Sequence, residues 1–274
     1  MMNNNRAVIL PNITPMRGDP NSQSVMTSQA IFGETVKIID STDCKTLIET
    51  PDGYSGWVEN LHLRMLTGDD CYPDPARAVM VSDLFLPVYF APSPRAERLT
   101  LLTIGSIVEI AEGEAVGVYY PLRLADGREG WADGSALIVP EYPALDKLGP
   151  NVGVISRGMI GIPYLWGGRS AFGLDCSGFV QKVFYLCGII LPRDAWQQAI
   201  DVRFKEVNLN DVRVGDLLFF ASDQDPNGRG VTHVSIMLGE DRMIHSSGIH
   251  GVKITLREIE SYSGRFVKAS RFVL

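Results

Sequence analysis

The rhythm of apolar and polar positions changes near residue 145. Before it, apolar residues come in short β-branched runs, Val36 to Ile39, Thr46 to Ile48 and Ile107 to Ile110, separated by glycine-containing turns. Many short runs at close spacing predict small β-barrels. After it, Val152 to Met159 reads as a helix ending near Gly161. Apolar residues at 179, 180, 183, 184 and 187 predict a second helix over Asp175 to Leu186, with Asp175 as N-cap and Gly188 just past the end. A further helix is expected around Asp194 to Ile200. Strands follow: Asp216 to Phe220, Val231 to Leu238, Met243 to Ser246, Val252 to Leu256 and Arg265 to Val273. Helices first and antiparallel strands after define an α+β domain.

The β-rich half contains a diverged repeat. One copy carries Gly33-Glu34-x-Val36 and then Asp52-Gly53-x-x-Gly56-Trp57-Val58; the other carries Gly105-Ser106-x-Val108 and then Asp126-Gly127-x-x-Gly130-Trp131-Ala132. Asp-Gly marks a hairpin turn because glycine accepts positive φ. These copies resemble bacterial SH3-like domains, with Trp57 and Trp131 expected to fill barrel cores. The polar stretch Thr67 to Arg77, with Pro73 and Pro75, reads as a linker. Pro140, Pro143 and Pro150 mark the next join. The expected domains are residues 1–68 and 76–142, each SH3-like, and 147–274.

Composition is that of an ordinary globular protein, 45% apolar and 21% charged over 274 residues. The formal charge of −7 disfavours nucleic acid or an anionic membrane as partner. No window approaches a membrane span, and the apolar run Ala7 to Leu10, ended by Pro11, is too short for a secretory signal. The chain is therefore expected to be cytoplasmic. Cys44, Cys71, Cys176 and Cys187 form neither a CxxC pair nor a zinc pattern, so no metal or cofactor is expected. Cys44 and Cys187 read as small buried hydrophobes, and Cys71 falls in the linker.

Cys176 differs because of its neighbours. It falls on the first turn of the expected helix, where unpaired N–H groups favour thiolate and can hold an oxyanion. Gly167, Gly168 and Gly173 precede it and suggest an open loop that a substrate backbone could approach. Two of the four histidines, His233 and His245, fall on strands of the same domain. A thiol, an imidazole and a third polar group are the parts of an activated nucleophile. The two histidines share a sheet face only if the turn between them is odd in length or a bulge intervenes.

Taken together, the segments Tyr164-Leu-Trp-Gly-Gly, Leu174-Asp-Cys-Ser-Gly-Phe-Val-Gln, Leu191-Pro-Arg-Asp, Gly215-Asp-Leu-Leu-Phe-Phe, Thr232-His-Val-Ser-Ile and Met243-Ile-His resemble, in order and spacing, the NlpC-type cell-wall cysteine peptidases over roughly residues 150–274. The resemblance implies a papain-like domain with Cys176, His233 and His245 as its catalytic set. Ala195 departs from it, since relatives often have Ser there. Two SH3-like domains ahead of such a domain resemble the γ-D-glutamyl-L-diamino acid endopeptidases, which act on murein peptides with a free N-terminal L-alanine. That implies Asp175 and Ser177 at the α-amine, Tyr164 near the oxyanion and Glu59 on an acidic wall. Asp175 is equally explained as a helix cap, Tyr164 as packing and Glu59 as a solvated charge. The alternative function is a secreted hydrolase of intact peptidoglycan that uses its SH3-like domains as wall anchors.

Overall fold

The structure, a computed structural model, describes residues 5–21, 23–68, 70–141, 143–222, 229–256 and 265–274. Residues 1–4, 22 and 142 of the expected SH3-like domains, residue 69 of the expected linker, and residues 223–228 and 257–264 of the third expected domain lie outside it. The chain divides into two units, Met1–Pro140 and Glu141–Leu274.

The first unit holds two seven-stranded sheets. Strands β1 (Arg6–Ile9), β2 (Ile13–Arg17), β3 (Met26–Ile31), β4 (Thr35–Ser41), β5 (Lys45–Glu49), β6 (Ser55–Glu59) and β7 (Leu63–Leu66) pair in the order β3-β2-β6-β5-β4-β1-β7. Strands β8 (Ala78–Val81), β9 (Phe85–Tyr89), β10 (Arg98–Thr103), β11 (Ile107–Ile110), β12 (Tyr119–Arg123), β13 (Glu129–Asp133) and β14 (Leu137–Ile138) repeat that order, as β10-β9-β13-β12-β11-β8-β14. Both Asp-Gly turns have their glycine at positive φ, 77° at Gly53 and 84° at Gly127.

The tryptophans do not fill the cores. Along β6 and β13 the side chains alternate, so Gly56 and Val58, or Gly130 and Ala132, face inward while Trp57 and Trp131 stay half-buried on the outer face. The inward glycines leave room for their neighbours. A Cβ at Gly56 would stand 2.8 Å from Met16 Cβ, and one at Gly130 2.7 Å from a Val88 methyl.

The stretch expected as a linker is partly structural. Tyr72 is buried, and its hydroxyl donates toward the carbonyls of Ile107 (3.3 Å) and Arg123 (3.2 Å). Val8, Phe32, Leu66 and Tyr72 join Val81, Leu86, Leu102, Leu122 and others in one apolar cluster. The second repeat's core therefore extends into the first repeat, which also keeps a core of its own at Ala7, Ile9, Met16, Val36, Ile48 and Val58. Gly33 permits the contact: its φ is +79°, and a Cβ there would come within 1.9 Å of Ile107 O. Cys44 is exposed, not buried, because it sits in the turn between β4 and β5.

The second unit is α+β. Helix α1 (Leu145–Arg157) starts earlier than its apolar pattern suggested and runs through Pro150, held by the buried face Leu148, Val152 and Ser156. The short strands β15 (Arg169–Ser170) and β16 (Gly173–Leu174) pair ahead of α2 (Cys176–Leu186), and α3 (Ala195–Ala199) follows. A six-stranded antiparallel sheet completes the unit: β17 (Phe204–Val207), β18 (Leu217–Phe220), β19 (His233–Gly239), β20 (Arg242–Ser247), β21 (Gly251–Leu256) and β22 (Phe266–Phe272), in the order β17-β22-β18-β19-β20-β21. β17, which carries Lys205 and Glu206 as exposed residues, was not expected from the sequence. Helix α2 is almost wholly buried: the apolar Phe179, Val180, Val183 and Phe184 are covered, and so are Gln181 and Lys182 between them.

Candidate active site

Asp175 caps α2, accepting from Gly178 N at 2.7 Å, and Cys176 takes the first helical position. Its sulfur lies 4.0 Å from Thr232 O, the carbonyl just before His233. The thiol is thus set at the start of β19, beside the first histidine.

The second histidine is brought in by the hairpin. Glu240 and Asp241 form a two-residue turn with φ of 49° and 56°, the conformation of a type I′ loop. Such a turn alone would put His233 and His245 on opposite faces. The pairing runs Ile236↔Ile244, Met237↔Met243 and then Gly239↔Arg242, so Leu238 is an extra residue and a bulge. The bulge restores the parity, and His233 Nε2 meets His245 Nδ1 at 2.9 Å with the rings edge to face. Cys176, His233 and His245 are therefore gathered at one place.

The electrostatics differ from the expectation of a preformed thiolate. Burial, and next the Asp175 carboxylate, push the Cys176 thiol up to about 12, against the pull of the Val234 N–H, Arg193 and the Ser177 N–H. Burial brings His233 down to about 4. Burial, His233 and Lys253 bring His245 down to about 3. At neutral pH the group is a neutral thiol beside neutral imidazoles. Desolvation outweighs the helix N-terminus here.

Asp175 does more than cap. Its carboxylate also accepts from Gly167 N (2.9 Å) and receives Arg193 in a two-pronged pair, Nη1 to Oδ1 at 3.0 Å and Nη2 to Oδ2 at 2.6 Å. Ser177 Oγ lies 3.0 Å from Arg193 Nη1 and 3.3 Å from Asp175 Oδ1. The Leu-Pro-Arg-Asp segment gives no sign of the role of Arg193, because its partner is 18 residues away and no local pattern reveals the pairing. Tyr164 is half-buried, bridges to Leu174, and has its phenol raised by burial and by the nearby Cys176 and Asp175. Glu59 belongs to the first unit, where Lys45 Nζ stands 3.5 Å from its carboxylate.

The glycines ahead of Cys176 are not an open loop. Gly168 lies against Gly173 O, Gly173 against the Leu165 side chain, and Gly178 against Gly168 O, with Cβ positions 2.1 to 2.4 Å from those atoms. They let the chain close on itself around the first turn of α2. Among the described residues no group of His, Cys, Asp and Glu could hold a metal ion, and no helix is long and apolar enough to cross a membrane.

Comparison with known proteins agrees with this geometry. Residues 161–271 match the NlpC/P60 family, and residues 16–63 match the bacterial dipeptidyl-peptidase Sh3 domain. Two curated relatives, each named γ-D-glutamyl-L-lysine dipeptidyl-peptidase, are 30% identical. The Bacillus subtilis protein aligns over 82% of this chain and 73% of its own, and the Bacillus cereus protein over 90% and 75%. A solved NlpC/P60 family protein from Bacillus cereus superposes with a TM-score of 0.81 over 98% of this chain and 100% of its own, at 23% identity. The fold is papain-like with SH3-like strands ahead of it. The chain belongs to the NlpC/P60 family and is a cysteine peptidase.

Proposed function

We propose that this enzyme hydrolyses the γ-D-glutamyl–diamino acid bond of murein peptides that begin with a free L-alanine, in the recycling of peptidoglycan peptides. The observation that carries the chemistry is the Cys176 sulfur set against Thr232 O, next in sequence to a His233 that is hydrogen-bonded to His245. The bond specificity is supported by the names of the two relatives aligned over most of this chain.

In this reading Cys176 Sγ attacks the D-glutamyl γ-carbonyl as its proton passes to His233. The oxyanion is met by the Cys176 N–H at the start of α2, with Tyr164 beside it. His233 returns the proton to the leaving amine of the diamino acid, and the L-Ala-γ-D-glutamyl group stays as a thioester. Water, giving its proton to His233, then cleaves the thioester and restores the thiol. His245 keeps the His233 ring oriented throughout, as the third member of such a set does.

Recognition of the alanine ammonium is assigned to Asp175 and Ser177. Because Arg193 already balances the Asp175 charge, the clean test acts on the substrate. The free peptide L-Ala-γ-D-Glu-meso-diaminopimelate should be cut by wild type and not by Cys176→Ala, while Cys187→Ala stays active. The N-acetylated peptide should be cut at least about 100-fold more slowly, because a polar site left unpaired rejects its analogue. Equal rates for the two peptides, or release of peptides from intact sacculi, would favour a wall-remodelling hydrolase instead.

A further inference from the structure

The motif Leu191-Pro192-Arg193 lies in a loop that the chemistry above does not use, yet three buried side chains fasten it to the nucleophile's helix. Gln181 Nε2 donates to Leu191 O at 2.9 Å. Gln198 Nε2 donates to Pro192 O at 2.9 Å and to Ser177 O at 3.1 Å. Arg193, only 1% exposed, forks onto both oxygens of Asp175 and reaches Ser177 Oγ. Asp175 in turn holds Gly167 N and Gly178 N, on either side of Cys176 in the fold. One guanidinium thus closes a ring of contacts through the Gly167-Gly168 loop, the helix cap and the first turn of α2.

The charge matters as much as the contacts. Asp175 is the residue before the nucleophile, and negative charge must develop on the Cys176 sulfur as it attacks. A bare buried carboxylate at that distance opposes it. We propose that Arg193 is a positioning residue of the active site: its buried fork fixes the Asp175 cap, and with it the Cys176 backbone, while cancelling the carboxylate charge beside the attacking sulfur. This rests on Cys176 being the nucleophile. A lysine cannot replace the fork, because an ammonium is a point charge without the planar two-pronged geometry.

The test reads alkylation by iodoacetamide at pH 8, followed by peptide mass at Cys176 and normalised to the exposed Cys44, alongside kcat on the free tripeptide. Arg193→Gln should slow Cys176 alkylation at least about tenfold, from an uncompensated neighbouring charge, and lower kcat on the order of 100-fold through misplacement. Arg193→Lys should bring alkylation back to within a few-fold of wild type while kcat stays low. The uncharged pair Asp175→Asn with Arg193→Gln should also recover alkylation. Loosening of the fold alone would uncover the buried thiol and speed alkylation, the opposite result. An unchanged or faster Cys176 in Arg193→Gln overturns the charge role, and full kcat in Arg193→Lys overturns the positioning role. Should Arg193→Gln fail to fold, the lysine variant and the neutral pair carry both readings. Activity surviving in Cys176→Ala would instead remove the nucleophile assignment and leave the alkylation result standing by itself.

Discussion

At the scale of single residues, the site is defined by groups kept neutral by burial. In the proposed mechanism His233 has to be unprotonated to accept the thiol proton, so activity is lost as pH falls through its pKa. Burial has brought that value down to about 4. The acid limb of kcat/KM plotted against pH should therefore lie well below 6.5, and a limb at or above 6.5 would contradict a desolvated neutral base. Asp175 carries a different prediction. It is 6% exposed and faces a guanidinium that is 1% exposed, so Asp175→Ala leaves a buried positive charge without its partner. Breaking such a pair costs about 3–5 kcal/mol, and loss of the cap adds about 1. Chemical denaturation should register a fall of that order; a change under about 1 kcal/mol would mean that water already reaches the pair.

At the scale of elements, the β19–β20 hairpin decides whether the histidines meet. Its two-residue turn would separate them, and the bulge at Leu238 brings them together. Deleting Leu238 should leave a hairpin but turn His233 to the other face, because a one-residue slip flips every side chain. Cleavage should vanish while far-ultraviolet circular dichroism stays close to wild type; retained activity would show that the strand re-bulges elsewhere. The parity requirement was legible in the sequence, but which of turn or bulge would meet it was not, since both positive-φ turn residues are acidic and give no Asn-Gly signal. Helix α2 was legible to within a residue, because its apolar spacing and its Asp175 cap are local. Trp57 and Trp131 were misplaced for the converse reason: the strands could be read, but which face of each meets the core depends on register with distant strands. The Gly167-Gly168 loop and Arg193 also escaped, as their partners lie far along the chain or in backbone.

At the scale of the whole chain, duplication is plain in both sequence and topology, and the two sheets repeat one strand order. The repeats have nevertheless diverged on their outer faces. The position after Gly-Trp-Val is Glu59 opposite Lys45, while its counterpart Asp133 lies opposite Tyr119. One feature of this half bears on how it melts. Phe32, Leu66 and Tyr72 sit in the same apolar cluster as Leu86, Val88 and Leu122, so the second sheet cannot lose its packing without uncovering side chains of the first. Heating should then give a single cooperative endotherm for residues 1–140 rather than one peak per repeat. At about 0.7 kcal/mol per residue near 60 °C, its calorimetric enthalpy should come to roughly 100 kcal/mol and equal the van't Hoff value. A calorimetric enthalpy near twice the van't Hoff value would mean that the repeats melt apart. Each repeat is then half of a larger thermodynamic unit.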